Sequence, residues 1–113
     1  MPGPTVTFDI VRTIGAALPD VKDASGSRGA ALTLKGKLMA CKAIHNSAEP
    51  NTLMVRVGLK RREALLKENP EAYYLTEHYE PYPAILVRLS RIKRTPLKEL
   101  LTESWGFVRE GMR

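Results

Sequence analysis

Apolar side chains recur at helical spacing at the beginning and at the end of this chain. The first stretch lies between Thr7, whose hydroxyl can cap a helix, and Pro19, which ends it. The last stretch begins at Thr95-Pro96, a capping hydroxyl followed by proline at the first helical position, and ends near Gly111, a candidate C-cap. The two apolar faces are formed by Phe8, Val11, Ile14 and Leu18, and by Leu97, Leu100, Leu101, Ser104, Trp105 and Val108.

Strand patterns fill most of the interval between these helices. Residues 31–44 read as two strands joined at Lys35-Gly36-Lys37, because a glycine between two apolar alternations is typical of a hairpin. Thr52–Val57 is a third strand, and Ala84–Leu89 is the most apolar and is expected to be central. The remaining segments are a loop or weak edge strand at 21–29, a second helix at 59–69 that stops before Pro70, and a short strand or helical turn at 72–76.

The order of elements, α-β-β-β-α-(β)-β-α, indicates an α+β fold. Strands linked by short hairpins and flanked by helices favour a two-layer structure in which an antiparallel sheet carries its helices on one face. The length of 113 residues fits a single domain. We place that domain at residues 7–113 and interpret residues 1–6 as a disordered lead-in.

Composition excludes several classes of protein. With 43% hydrophobic and 27% charged residues, the chain is neither collagen-like nor disordered. No apolar run approaches the ~18 residues of a spanning helix, and the N-terminus lacks the pattern of a secretory signal, so no membrane partner is expected. Cys41 is the single cysteine, which excludes an intrachain disulfide and suits a reducing compartment. These features predict a cytoplasmic protein.

The net charge of +6 favours an anionic partner such as DNA or another polyanion. Strand alternation directs three basic side chains toward the sheet face away from the helices, and three more open the second helix. Aromatic residues are only 6% of the chain, so contact would be made with backbone phosphates rather than by base stacking. The predicted contact residues are Lys35, Arg56 and Arg88 on the sheet, and Lys60, Arg61 and Arg62 on the helix. A short basic run is also typical of a merely solvated helix face.

A second interpretation concerns Glu77-His78-Tyr79 with Tyr82, which combine polar and aromatic groups in a loop before a strand. Such loops often carry function, so His78, Tyr79 and Tyr82 are candidate pocket residues, with Arg56 and Arg88 as anion anchors. The protein would then bind a small anionic ligand or a protein partner. Alternatively, the loop only covers the sheet edge, with each tyrosine hydroxyl bonded to the backbone.

Metal binding and catalysis find no support in the residue spacing. Cys41 and His45 would be roughly 13 Å apart on one extended strand, too far to share an ion. No zinc-binding spacing occurs, and we predict no cofactor. Cys41 is expected to be an inert core residue, since free cysteine is usually buried. No nucleophile and base pair is visible, so we predict no catalytic residues and a protein that is not an enzyme.

Several segments, in this order, resemble the MmcQ/YjbR-like proteins. The resemblance spans about residues 7 to 108, and its segments are Thr7–Arg12, Ala17–Pro19, Lys35–Leu38, Thr52–Val57, Arg62–Leu66, Asn69–Thr76, His78–Tyr79, Tyr82–Leu89 and the final helix with Trp105. It implies a small α+β fold similar to secretion chaperones and frataxin-like proteins, and a DNA-binding role by analogy. The segment at 26–32 and Gly58 depart from the family pattern, and the first helix has only Asp9 where iron handling would need an acidic ridge. We expect a monomer or a weak homodimer, formed through an exposed edge strand.

Overall fold

A computed structural model describes residues 6–111 of the chain. The helices are α1 (Phe8–Ala16), α2 (Leu59–Glu68) and α3 (Arg94–Glu110), and the strands are β1 (Val21–Asp23), β2 (Ala31–Leu34), β3 (Lys37–Lys42), β4 (Thr52–Arg56), β5 (Tyr73–Tyr74) and β6 (Ala84–Arg88). A 3₁₀ turn at Leu89–Arg91 follows β6. None of the described helices is long and apolar enough to cross a bilayer.

The six strands form one sheet in the order β1-β2-β3-β4-β6-β5, and all neighbours are antiparallel. The predicted α+β class is confirmed. The strand β6 lies inside the sheet, between β4 and β5. The segment predicted as a loop or weak edge strand contains β1, at the edge, and the one predicted as a strand or helical turn contains β5, at the opposite edge.

The two faces of the sheet have different environments. Leu53 and Val55 of β4 lie opposite Val87 and Ile85 of β6, and all four are buried in the core beneath the helices. The alternate residues of β4, including Met54 and Arg56, therefore lie on the other face, which we call the open face.

The N-terminal prediction needs one correction. Val6, which we assigned to a disordered lead-in, is only 3% exposed and belongs to the core cluster. The rest of that predicted segment, residues 1–5, lies outside the described residues, as do residues 112–113 at the C-terminal end of the predicted domain. The cap of α1 is confirmed, because the Thr7 hydroxyl accepts a hydrogen bond from the Ile10 N–H at 3.3 Å.

The start of α3 also differs from its prediction. The helix begins at Arg94 with Lys93 as its N-cap, so Thr95 and Pro96 lie within the first turn. Proline is accommodated there because the first four N–H groups of a helix have no partner within it. The first main-chain bond runs from the Leu97 N–H to the Lys93 carbonyl at 3.1 Å. At the other end, Gly111 is the C-cap, with a right-handed φ of −67°.

Candidate functional site

A groove of about 800 Å³ lies on the open face of the sheet. Its floor is apolar and comes from three neighbouring strands: Leu38 and Cys41 of β3, Met54 of β4 and Ala84 of β6. Two loops form its walls. We call them the β3–β4 loop (residues 43–51) and the β5–β6 loop (residues 75–83).

The two loops are joined to each other across the open face. The His45 N–H donates a hydrogen bond to the Tyr79 hydroxyl at 3.3 Å, and the hydroxyls of Ser47 and Thr76 are 2.9 Å apart. The imidazole rings of His45 and His78 stack with centroids 3.5 Å apart and planes within 6° of parallel. The two wall loops are therefore one continuous structure.

The orientation of His45 is set by its own loop. Its Nδ1 accepts a hydrogen bond from the Ser47 N–H at 3.1 Å and lies 2.8 Å from the Ser47 hydroxyl. A nitrogen that accepts from a backbone N–H carries no proton, so the neutral ring that fits this geometry is protonated at Nε2.

Aromatic rings continue this wall. The Tyr79 ring stands edge-on to both imidazoles, with centroids 4.9 Å from His78 and 6.2 Å from His45. Tyr82 lies 6.3 Å from His78 and remains 55% exposed. The structure thus brings together all three predicted pocket residues and adds His45. The sequence predicts His45 only as a loop residue that does not bind a metal, although a histidine in a turn after a strand, with serine two residues on, is a signal for such a position.

Two arginines line the groove without an acidic partner. Arg56 lies at the end of β4, where its Nη1 is 3.5 Å from the Leu38 carbonyl oxygen and its guanidinium carbon is 5.6 Å from the centre of the Phe107 ring. Arg28 is exposed and lines the groove from the loop before β2. Among the described residues, neither forms an ion pair with a carboxylate, and no Asp or Glu lines the groove.

Arg88, which the sequence suggested as an anion anchor, is not among the residues that line the groove. Its guanidinium holds the Glu49 carboxylate through Nε and Nη2, the latter at 2.8 Å, and donates to the carbonyls of Pro70 and Glu71. It also lies over the Tyr74 ring, 4.2 Å from its centre. This hydrogen bonding to Arg88 lowers the pKa of Glu49. Arg88 is thus part of the bonding that holds the β3–β4 loop.

The basic residues of α2 are also used within the fold. Arg61 pairs with Glu103 of α3 and with Glu68, both at 3.0 Å. Arg62 donates from Nη1 to the carbonyls of Tyr82 at 2.7 Å and Glu80 at 3.1 Å, which fixes the β5–β6 loop. Lys60 is exposed to solvent.

The six predicted phosphate contacts have different surroundings in the structure. Lys35 sits in the β2–β3 turn with a φ of +49° and not within the strand that would have aligned it with the others. Arg88, Arg61 and Arg62 have partners in the chain, as described above. Of the six, Arg56 is the residue that lines the groove. Alternation along strands correctly indicated the face of Arg56, but it carries no information about where a long guanidinium finds its partner.

Cys41 is not a core residue, contrary to the expectation. It is half-buried on the open face and forms part of the groove floor. Burial raises the pKa of its thiol, which keeps the group protonated and weakly nucleophilic near neutral pH. Residues 6–111 contain no group of three or more His, Cys, Asp or Glu side chains placed to hold a metal ion.

Comparisons with known proteins show the fold but no activity. No family model matches the chain. Over 42 residues, 37% of the chain, it is 48% identical to the uncharacterized proteins Rv2570 of Mycobacterium tuberculosis and Mb2600 of Mycobacterium bovis, and the match spans 33% of each relative's length. The crystal structure of Deinococcus radiodurans protein DR2400, a DUF419 domain, aligns with a TM-score of 0.70 and 22% identity, covering 96% of this chain and 82% of that one. The two proteins share a fold.

Proposed function

We propose that this protein binds a small organic anion with an apolar body in the groove of the open face. The observation that supports the proposal is the pairing of an apolar floor with two arginines, Arg28 and Arg56, that have no carboxylate partner among the described residues. A site of this kind buries apolar surface of a ligand while charge-assisted hydrogen bonds fix its acidic group.

Arg61 and Arg88 differ from these two arginines. Arg61 and Arg88 each meet at least one carboxylate, and that neutralises their charge locally. Arg56 is only partly exposed and faces a carbonyl at long distance, so much of its hydrogen-bonding capacity is unused. An incoming carboxylate, sulfonate or phosphate would supply the missing acceptor.

The rims of the groove favour an apolar ligand body. Ile44 and Tyr82 lie on the two wall loops, line the groove, and are 61% and 55% exposed. Large apolar side chains exposed together beside a groove are typical of a binding site. A ligand between them would cover both and would pack against the stacked imidazoles.

The direct test is titration calorimetry with decanoate, together with displacement of the fluorescent anion anilinonaphthalene sulfonate. We expect both anions to bind, and we expect a combined Arg28→Gln and Arg56→Gln variant to weaken decanoate binding about tenfold, because the carboxylate then loses its charge-assisted hydrogen bond to either arginine. Amide chemical shifts should change around the groove, at Cys41, Met54 and His78.

The matched control is Arg91→Gln, which removes one positive charge from an exposed residue of the 3₁₀ turn outside the groove. It should leave decanoate affinity within about twofold of the parent protein, since a distant surface charge is screened by salt. The proposal is wrong if folded protein binds neither anion, or if the combined variant and Arg91→Gln have the same effect.

Nucleic-acid binding is a second candidate, favoured by the net charge of +6. With Arg61, Arg62 and Arg88 bonded within the chain, about three phosphates could be contacted, and log K would then fall with log salt at a slope near −2.7 on duplex DNA. Fluorescence anisotropy across a salt series measures this slope. Lack of binding at ~50 mM salt, where backbone contacts are strong, would exclude this candidate.

We also infer that the chain is a cytoplasmic member of the MmcQ/YjbR-like group. The membership is supported by the sequence segments that resemble this group, which occur in the same order along the chain. The DUF419 fold of the Deinococcus neighbour also supports it. The single cysteine supports the location. Fractionation of cells that produce the tagged protein would test the location.

A further inference from the structure

We infer that the ligand of the groove carries an anionic group at each of its two ends, with an apolar chain between them. This inference rests on the proposed function and specifies its ligand class. It follows from where the two arginines lie along the groove, since Arg56 of β4 lies beside the beginning of β3 and Arg28, in the loop before β2, lies near its end.

Arg56 marks the end of the groove where β3 begins. Its register partner on β6 is Ala84, and its Nη1 faces the carbonyl of Leu38, the second residue of β3. Tyr82 and Pro83 line the groove together with these residues.

Arg28 marks the other end, where β3 finishes. The loop that carries it is fixed against Lys42, because the Lys42 N–H donates to the Ala30 carbonyl at 2.9 Å. A Cβ on Gly29 would lie 2.8 Å from Cδ of Lys42, so the loop backbone rests directly on that side chain. A smaller hollow of about 380 Å³ adjoins the groove here and shares Arg28, Cys41, Lys42 and Ile44 with it.

The separation of the two ends sets the length of the ligand. A bulge in β3 places Leu38 opposite Thr33 and Lys42 beside Ala30, so the two ends lie about three residue steps of β2 apart, ~10 Å at ~3.3 Å per residue. The floor between the two ends presents Cys41 and Met54, which offer no charge. A ligand with one acidic group would leave one arginine without a partner, whereas an elongated dianion such as a long α,ω-dicarboxylate would engage both.

The experiment compares decanedioate with decanoate, which has the same number of carbons but one carboxylate, in calorimetry at pH 8. Decanedioate is the less apolar of the two, so a purely hydrophobic groove would prefer decanoate. We expect decanedioate to bind about tenfold more tightly, as a second charge-assisted contact would give. Butanedioate is too short to reach both ends, so it should not bind more tightly than decanoate.

Variants assign the two ends. Arg28→Gln and Arg56→Gln should each reduce decanedioate affinity about tenfold, to the level of decanoate, and Arg91→Gln should change neither. If Arg56→Gln fails to fold by circular dichroism, Arg28→Glu still tests the inference, because the reversed charge should repel the dianion more than the monoanion. Equal affinities for decanoate and decanedioate overturn this inference and leave the proposed function standing, whereas no binding of either overturns both.

Discussion

Single arginines hold the loops over the open face of this sheet. Arg62 donates to the carbonyls of Glu80 and Tyr82 in the β5–β6 loop, and Arg88 binds Glu49 of the β3–β4 loop. Loop carbonyls lie outside the regular ladder of the sheet, and a guanidinium with five donors can bind several of them at once. These side chains therefore stabilise the loops, although their positions in the sequence are also typical of an anion-binding surface.

Replacement of Arg62 should show this structural role. We expect Arg62→Gln to lower the free energy of unfolding by about 1–2 kcal/mol, because the carbonyls of Glu80 and Tyr82 lose the hydrogen bonds from its guanidinium. Lys60→Gln removes the same charge from the same turn of α2 at an exposed position, and should stay within about 0.5 kcal/mol of the parent. Urea denaturation measures the stability of both variants. Equal effects would show that the stability depends on the positive charge and not on the hydrogen bonds of Arg62.

Asp23 makes stability depend on acid pH. Hydrogen bonds from Ser25 and Arg12 lower its pKa from the usual 3.8 to about 2 in the folded protein. A carboxylate with a lowered folded pKa contributes stability that is complete above its unfolded pKa and is lost as pH falls through the folded value. We therefore expect the contribution to be present above pH 3.8 and to disappear toward pH 2.

Asp23→Asn tests this expectation. The variant should be less stable than the parent at pH 6, and the difference should shrink steadily between about pH 4 and pH 2, since the parent loses its ionised carboxylate there. Urea midpoints measured at intervals across this range give the difference. A constant difference over the whole range would contradict the role of the carboxylate charge.

At the scale of elements, the contact between α1 and β2 depends on the absence of a side chain at Gly15. A Cβ at this position would lie 2.3 Å from Cδ1 of Leu32 and 3.2 Å from its Cγ. Leu32 is 1% exposed, so its side chain has little room to move away. The helix therefore approaches the sheet at a distance that only glycine permits.

Two glycine substitutions separate packing from helix propensity. Gly15→Ala should destabilise the protein by about 1–2 kcal/mol, because the overpacking exceeds the gain in propensity. Gly106→Ala lies within α3, where an added Cβ meets no atom within 4 Å, and should stabilise by about 0.5–1 kcal/mol. Thermal and urea unfolding measure both changes, and stabilisation by both would mean that α1 can shift on the sheet.

At the scale of the whole molecule, the groove is assembled from parts that are distant in the chain. The groove is lined by Arg28 from the loop before β2, Arg56 from β4 and His78 from the β5–β6 loop. These residues meet on one surface because β3, β4 and β6 are neighbours in the sheet. A ligand that binds there must therefore hold together segments that separate on unfolding.

Ligand binding should consequently stabilise the entire fold. Decanedioate at a hundred times its dissociation constant should raise the free energy of unfolding by about 2.7 kcal/mol, provided it binds the folded state alone. Arg91→Gln should keep this gain, and a combined Arg28→Gln and Arg56→Gln variant should lose most of it. Stabilisation of the same size in the combined variant would place the ligand elsewhere.

The sequence by itself determined the elements and the class of fold. Apolar spacing located α1 and the main strands, and Thr7 marked the first cap. The glycine of Lys35-Gly36 located the β2–β3 turn, where both residues have positive φ, at +49° and +84°. These features depend on neighbouring residues, so local physics is sufficient to specify them.

Only the tertiary structure decided the character of the open face. Strand periodicity placed Arg56 on that face. Whether an arginine is neutralised depends on acidic residues far along the chain, such as Glu49 for Arg88 and Glu103 for Arg61. The stacking of His45 on His78 and the position of Cys41 on the groove floor likewise required two loops to meet. Partners separated by tens of residues come together through sheet order, and no local pattern encodes that order.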